Sequence, residues 1–177
     1  MFAIANKRMV AGLAAGIAAA GAVVAALAIG NAATAMPAEN PGCANTEVSI
    51  TAGDANGAAG TLRVPLTITN TGSVTCSIAG ALQVRGVVYG AGEHMVGRPA
   101  TATSEALERV TVLKPRQSAV ATLQITDGAN FPGESVPVDG FNVSLPSDRG
   151  NPSFIRFVAS APRTGSWLRI EELQQTK

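Results

Sequence analysis

Aromatic residues are scarce in this sequence: phenylalanine, tryptophan and tyrosine make up 4% of its 177 residues. A core with few rings relies on aliphatic side chains, each contributing roughly 1.5–3 kcal/mol on burial. There is one histidine, His94, and there are two cysteines, Cys43 and Cys76. A Ser-His-Asp hydrolase would have to use His94, with Ser104 or Ser118 and a carboxylate that no motif singles out. No Gly-x-Ser-x-Gly turn occurs. Zinc wants three or four His, Cys or carboxylate ligands; with one histidine and both cysteines accounted for by a bridge, neither metal nor cofactor is expected. Clustered positive charge is missing too. Lys7 and Arg8 account for two of the 13 basic residues, so the rest carries 11 against all 12 acidic ones, a formal −1. Nucleic acid and anionic membrane surfaces attract basic clusters, and neither is expected as a partner.

Charge is also absent from Met9 to Gly30, a run of 22 residues dominated by Ala and Gly behind Lys7-Arg8. Asn31-Ala32-Ala33-Thr34-Ala35 follows. A positive start, an apolar run and the small-x-small pair Ala33 and Ala35 make a secretory signal peptide over 1–35, cleaved between Ala35 and Met36. An uncleaved anchor is the rival reading, since about 20 apolar residues span a bilayer; Ala and Gly are weakly apolar for that purpose. Either way the remainder is expected outside the cytoplasm, secreted or tethered by its N-terminal helix. Lipidation of Cys43 is disfavoured by Asn40-Pro41-Gly42 before it.

In an oxidising compartment an even cysteine count argues for a bridge. Two cysteines allow one intramolecular pairing, Cys43–Cys76. It would close a loop of about 34 residues, worth about 3.8 kcal/mol in the chain-entropy treatment. A reactive thiol or metal ligand is the alternative, and neither cysteine has a basic residue or the histidine near it in sequence.

What is abundant points to strands. Val, Ile, Thr and Gly dominate the second half, with 19 glycines and 10 prolines in the chain. From Thr61 to Asn70, Leu62, Val64, Leu66 and Ile68 alternate with Arg63, Pro65, Thr67 and Thr69, the period of a strand with one buried face. Pro65 lacks an N–H, which predicts an edge strand or a position facing away from a neighbour. Asn70-Thr71-Gly72 reads as a turn, with Val74–Ala79 returning as the partner strand. Further strands are read at Glu47–Thr51, Leu82–Tyr89 with a bulge at Gly86, Leu107–Leu113, Gln117–Thr126, Phe141–Leu145, Phe154–Ala159 and Trp167–Glu171. In Gln117–Thr126 one face carries Ala119, Ala121, Leu123 and Ile125. Turns are read at Asp54–Gly57, Lys114-Pro115-Arg116, Pro132-Gly133 and Asp148–Pro152, and one helical turn at Ala102–Leu107. About eight or nine short strands predict an all-β, two-sheet antiparallel β-sandwich, immunoglobulin-like, with one disulfide. The expected organisation is a leader over 1–35, a linker over 36–45 and a single domain over 46–173.

The stretch from Cys43 to about Glu172 resembles domain of unknown function 4232, found in exported proteins of actinobacteria. The likeness rests on a cysteine before the first strand, then Leu66-Thr67-Ile68-Thr69-Asn70-Thr71-Gly72, Cys76 and Gly80. It continues through Gly92-Glu93-His94-Met95-Val96-Gly97-Arg98-Pro99-Ala100 and Leu113-Lys114-Pro115-Arg116-Gln117-Ser118-Ala119. The chain departs from the family where Ala81-Leu82 replaces Tyr-Pro and Arg116 replaces Gly. A second cysteine pair, common in the family, is missing near Ser135 and Arg163. The resemblance implies an exported β-sandwich with the Cys43–Cys76 bridge, and no activity.

Other polar groups read as surface. Asp54-Ala55-Asn56-Gly57 opens like a calcium loop but lacks the later oxygen ligands and closing Glu. Glu105 and Glu108 would be neighbours on a helical turn; catalysis would need a cleft and opposed pKa environments. Glu171-Glu172 is a terminal charge pair. Trp167 is expected in the core or a seam rather than as a partner's anchor. The expected function is therefore non-enzymatic: binding of a protein or cell-envelope component, or a structural role. Loops over 90–105 and 146–152 are the candidate contact regions. The alternatives are a carrier with an apolar cavity of a few hundred Å³ between the sheets, and an exported hydrolase using His94.

Overall fold

The computed structural model describes residues 39–90 and 92–176. The leader over 1–35 and the cleavage site between Ala35 and Met36 lie outside the described residues. No helix among those described is long and apolar enough to cross a membrane.

The strands in chain order are β1 (Val48–Ala52), β2 (Asn56–Ala58), β3 (Thr61–Asn70), β4 (Cys76–Ala79), β5 (Gln83–Tyr89), β6 (Glu93–Val96) and β7 (Thr101–Ala102). After the short helix α1 (Ser104–Glu108) come β8 (Val110–Leu113), β9 (Ser118–Thr126), β10 (Ser135–Leu145), β11 (Asp148–Pro162), β12 (Leu168–Ile170) and β13 (Gln174–Gln175). Single 3₁₀ turns precede β1 at Asn45–Glu47 and follow β9 at Gly128–Asn130. One sheet has seven strands, ordered β1-β3-β9-β12-β7, with β2 beside β3 and β13 beside β9. A second has four, ordered β11-β10-β5-β6, and β4 and β8 form a separate ladder.

The fold is all-β, but the expected arrangement of two wholly antiparallel sheets is corrected on two counts. The described strands form three sheets, and β12 pairs β7 in parallel, Arg169 with Thr101 and Ile170 with Ala102. Parallel neighbours need a long connection rather than a tight turn; these two lie far apart in sequence, so local pattern carries no trace of their pairing.

The alternation in β3 and β9 behaves as it reads. Val64, Leu66 and Ile68, with Ala119, Ala121, Leu123 and Ile125, are buried along the paired strands. From the four-stranded sheet come Val84, Val138, Phe141, Val143, Leu145 and Ile155, and from the third ladder Ile78 and Leu113; all join one hydrophobic core. Leu62 departs from its alternation, with 39% of its surface exposed.

Pro65 does not mark an edge strand. β3 lies between β1 and β9. A strand residue's N–H and C=O point to the same side, and Pro65 O accepts from Gly53 N at 2.8 Å. Its missing N–H thus faces the residues between β1 and β2, where the ladder is interrupted. Nor does Asn70-Thr71-Gly72 close a hairpin. The N–H groups of Thr71 and Gly72 both donate to Glu47 O, at 2.9 and 3.1 Å. With both edges of β3 taken, β4 pairs instead with β8, Cys76 opposite Leu113 and Ala79 opposite Val110. Leu107 and Glu108, read as strand, belong to α1, whose N-terminus is capped by the Thr103 hydroxyl accepting from Ala106 N.

Gly86 is not a bulge. It stays in register with both Phe141 and Val96, and a Cβ there would lie 2.7 Å from the Trp167 ring. The turn read at Asp54–Gly57 lies partly in β2, and the chain reverses instead at Ala59-Gly60, both at positive φ, 53° and 78°, with Ala58 opposite Thr61.

Candidate functional site

The cysteines meet as expected. Cys43 and Cys76 form a disulfide with Cα atoms 4.9 Å apart, and both are buried. Gly42 bridges to Ser77, and Ser77 N donates to Pro41 O at 2.8 Å. This staple fastens the entering chain to β4. Asn45 continues the attachment, its Oδ1 accepting from Leu145 N and its own N–H donating to Asp148 Oδ2, both at 2.9 Å.

The residues weighed for catalysis are dispersed. His94 is exposed on β6, the outer strand of the four-stranded sheet. Ser118 sits in the seven-stranded sheet, its hydroxyl 2.7 Å from Thr69 Oγ1. Ser104 opens α1, and no hydrogen bond among the described residues joins it or Ser118 to His94. Glu105 and Glu108 are exposed on α1. The Glu105 carboxyl is held below its ordinary range first by its own backbone N–H and by the Ser104 hydroxyl, with a smaller contribution from Arg169. Glu171 accepts from Gln124 and pairs with Arg63 at 3.4 Å, and Glu172 pairs with Arg109 at 3.3 Å. Arg63, Glu105, Gln124, Arg169, Glu171 and Glu172 line an open trough of about 450 Å³ on the seven-stranded sheet, where the charges answer one another. No group of three or more His, Cys, Asp or Glu side chains among the described residues is placed to hold a metal ion.

Trp167 is 1% exposed and packs on Phe141, ring centroids 5.8 Å apart. Gly86 and Gly97 pass close to its ring, and its indole N–H has no acceptor among the described residues. It is a core residue, not a presented anchor.

Besides an open apolar hollow of about 430 Å³ lined by Ala81, Leu82, Pro99, Ala100 and Leu107, two apolar features remain, and neither motif nor periodicity pointed to them. The first is the outer side of the four-stranded sheet. Tyr89, Met95, Phe154 and Val158 are all exposed there. Tyr89 and Phe154 stack edge to face at 4.9 Å and 84°. The Phe154 ring occupies the space a side chain at Gly140 would need, and Val87 lies fully buried beside it in β5. Asn142, also on this side, donates to Glu93 Oε1 at 2.5 Å, and Tyr89 N donates to Asp139 Oδ2 at 2.7 Å. The candidate loop over 90–105 contributes Met95 but consists largely of β6, β7 and the start of α1; that over 146–152 runs into β11.

The second is a half-open cleft of about 250 Å³ between the β2–β3 hairpin and β11. Ala59, Leu62, Ile125, Val158 and Ala159 supply apolar wall, and Thr61, Asp127 and Ser160 polar rim. Asp127 also caps the following 3₁₀ turn, its Oδ1 accepting from Ala129 N at 2.8 Å. Asn130 Nδ2 donates to Gly60 O at 3.1 Å, bracing the hairpin. The partial exposure of Leu62 has its cause here, at the cleft mouth.

No curated protein matches the chain. A family model does, that of Domain of unknown function (DUF4232), over residues 43–174, from the stapling Cys43 to β13. The match takes in the disulfide, strands of all three sheets, the apolar face and the cleft, and the chain belongs to the DUF4232 family.

Proposed function

We propose that this chain is an exported, non-catalytic, immunoglobulin-like β-sandwich that binds a protein or cell-envelope component. The observation that carries the reading is the concentration of Tyr89, Met95, Phe154 and Val158 on the outer side of one sheet. An antiparallel sheet face left in water normally carries polar residues at such positions, and exposed apolar patches mark interaction sites. The sandwich reading is supported by the single core that both large sheets share. Export is supported by Lys7-Arg8, the uncharged run and the Ala33-x-Ala35 pair, and fits a disulfide, which persists in oxidising compartments. The carrier reading needs an enclosed apolar cavity of a few hundred Å³; the cleft beside β11 holds about 250 Å³ and the apolar hollow by Leu82 and Leu107 about 430 Å³, but both are open to the surface, which weighs against it.

Mass and N-terminal sequence of the protein from culture supernatant and from membranes test export. The expected product begins at Met36 and is lighter than the reduced chain by two hydrogens. A product beginning at Met1 in membranes replaces release with tethering, and one found only in the cytoplasm removes export. Binding is tested by sedimentation with isolated envelope. Wild type is expected in the pellet and the Tyr89→Ser, Phe154→Ser double variant in the supernatant. Equal sedimentation of the two would sink the assignment of this face.

A further inference from the structure

β11 lies at the end of the four-stranded sheet, with β10 on one side and no strand hydrogen-bonded to its other edge among the described residues. That edge is covered at its two ends. Asn45 binds Asp148 at one, and the 3₁₀ turn from Gly128 packs on Ser160 and Ala161 at the other. Between them the backbone from Phe154 to Ala159 has no strand hydrogen-bonded to its outer edge among the described residues. Unpaired strand edges template the addition of another strand, and the cleft opens beside this one, walled by Val158 and Ala159. Val158, 77% exposed, stands at the junction of edge and cleft.

We propose that this edge and the cleft are one docking site for an extended segment of a partner protein. The segment adds to β11 as a fifth strand, and one of its apolar side chains enters the cleft. In such strand addition main-chain hydrogen bonds supply affinity and pockets for alternate side chains supply specificity. Arg156 defines the partner further. Its side chain points to the opposite side of β11 from Ala159, is exposed, and has no ion pair among the described residues. Opposite charges across paired strands are favourable, so the segment carries an acidic residue facing Arg156. Positions 156 and 159 differ by three, an odd number, so the acidic and apolar residues of the segment fall on opposite faces of one strand, as the period of two requires.

The other occupants fit less well. The chain enters the domain beside β4 and Asn45, whereas the cleft sits at the far end of β3, whose ten residues span roughly 30 Å. Residues 36–41 reach at most about 20 Å, so a mature N-terminus beginning at Met36 cannot fold back into the cleft. A second copy paired two-fold at Arg156 would set Arg156 against Arg156, and one paired at Phe157 would leave the two Arg156 side chains diagonal neighbours on one face; like charges so placed are unfavourable. The strip offered by six residues is also far smaller than the roughly 800 Å² per partner of stable interfaces.

The inference rests on the binding reading above. Its test is selection from a random dodecapeptide phage library on immobilised mature protein. Enriched peptides are expected to carry an acidic residue and an aliphatic one three positions apart. A synthetic copy of the leading peptide should protect amides of 154–159 from hydrogen exchange. It should bind the Arg156→Glu variant at least roughly tenfold more weakly and the Leu62→Glu variant likewise, both variants keeping wild-type Trp167 emission. No enrichment, a footprint elsewhere, or undiminished binding by both variants overturns the docking site. If envelope sedimentation still depends on Tyr89 and Phe154, the broader binding reading stands without it.

Discussion

Asn70 explains why the Asn-Thr-Gly motif sits where it does. The residue is buried, and its Nδ2 donates to Val74 O at 2.8 Å and to Leu113 O at 2.9 Å, while its Oδ1 accepts from Gly72 N at 2.9 Å. Its backbone also receives Arg116 N and donates to Gln117 O. One side chain thus satisfies carbonyls on the way into β4 and at the end of β8. Asn70→Ala strands those buried acceptors, each worth about 1–3 kcal/mol when unpaired. Urea denaturation is expected to show a loss of about 3 kcal/mol. Arg116 holds a left-handed conformation at φ 66°, which is why glycine is the residue expected there from the family resemblance. Arg116→Gly relieves a cost of roughly 1–2 kcal/mol, offset in part by the greater freedom of glycine in the unfolded chain. A net gain of about 0.5–1 kcal/mol is expected, and a loss in the same urea titration would contradict this account. Glu105 titrates below its ordinary 4.5 in the fold. A carboxyl with a depressed folded pKa adds stability above the unfolded pKa, and that contribution is lost as pH falls through the folded value. The NMR titration midpoint of Glu105 should therefore fall below 4.5 and return toward it in the Ser104→Ala variant, because the Ser104 hydroxyl is one of the lowering groups.

Strands β3 and β9 were legible because a period of two is written locally and both are buried along one face. The breaks in legibility came where a residue's role depends on a distant neighbour. Gly86 and Gly97 look like a bulge and a loop residue in sequence. In the structure they are the floor under Trp167, where a Cβ on Gly97 would approach the indole nitrogen to 2.4 Å and φ is 70°. Packing of β5 and β6 against the residue preceding β12 depends on the missing side chains. Gly97→Ala combines overpacking of about 1–3 kcal/mol with the left-handed penalty. A loss of about 3 kcal/mol is expected, together with a red shift in the emission of the single tryptophan. Gly86→Ala, without the positive φ, should cost less. If Gly86→Ala proved the more damaging, conformation would not be the deciding factor at Gly97. The element partners of β4 and β7 were equally illegible, because any strand edge of the right hydropathy offers the same hydrogen bonds.

The molecule as a whole depends on its one covalent cross-link. Aromatic residues are few, and Cys43–Cys76 ties the entering chain to the β4–β8 ladder. The Cys43→Ser, Cys76→Ser double variant is expected to lose about 3–4 kcal/mol, in line with release of a loop of about 34 residues. A midpoint unchanged in urea would mean that the reduced chain keeps the loop closed by Asn45 and the Gly42–Ser77 bridge alone. The exposed ion pair Glu134–Arg163 beside the β10–β11 ladder occupies the region where the family commonly carries a second cysteine pair, and such an ion pair contributes about 1 kcal/mol or less.

By itself the sequence determined the all-β class, the buried faces of β3 and β9, the only possible disulfide and the family likeness, since each depends on spacing along the chain or on a count. Only the tertiary structure decided that β4 leaves β3 for β8, that β7 and β12 run parallel, that Trp167 rests on two glycines, and that apolar side chains gather on one sheet face and around a cleft. Those outcomes belong to surfaces assembled from segments far apart in sequence. Their chemistry is a property of which residues become neighbours, and neighbours across a sheet leave no period in the chain.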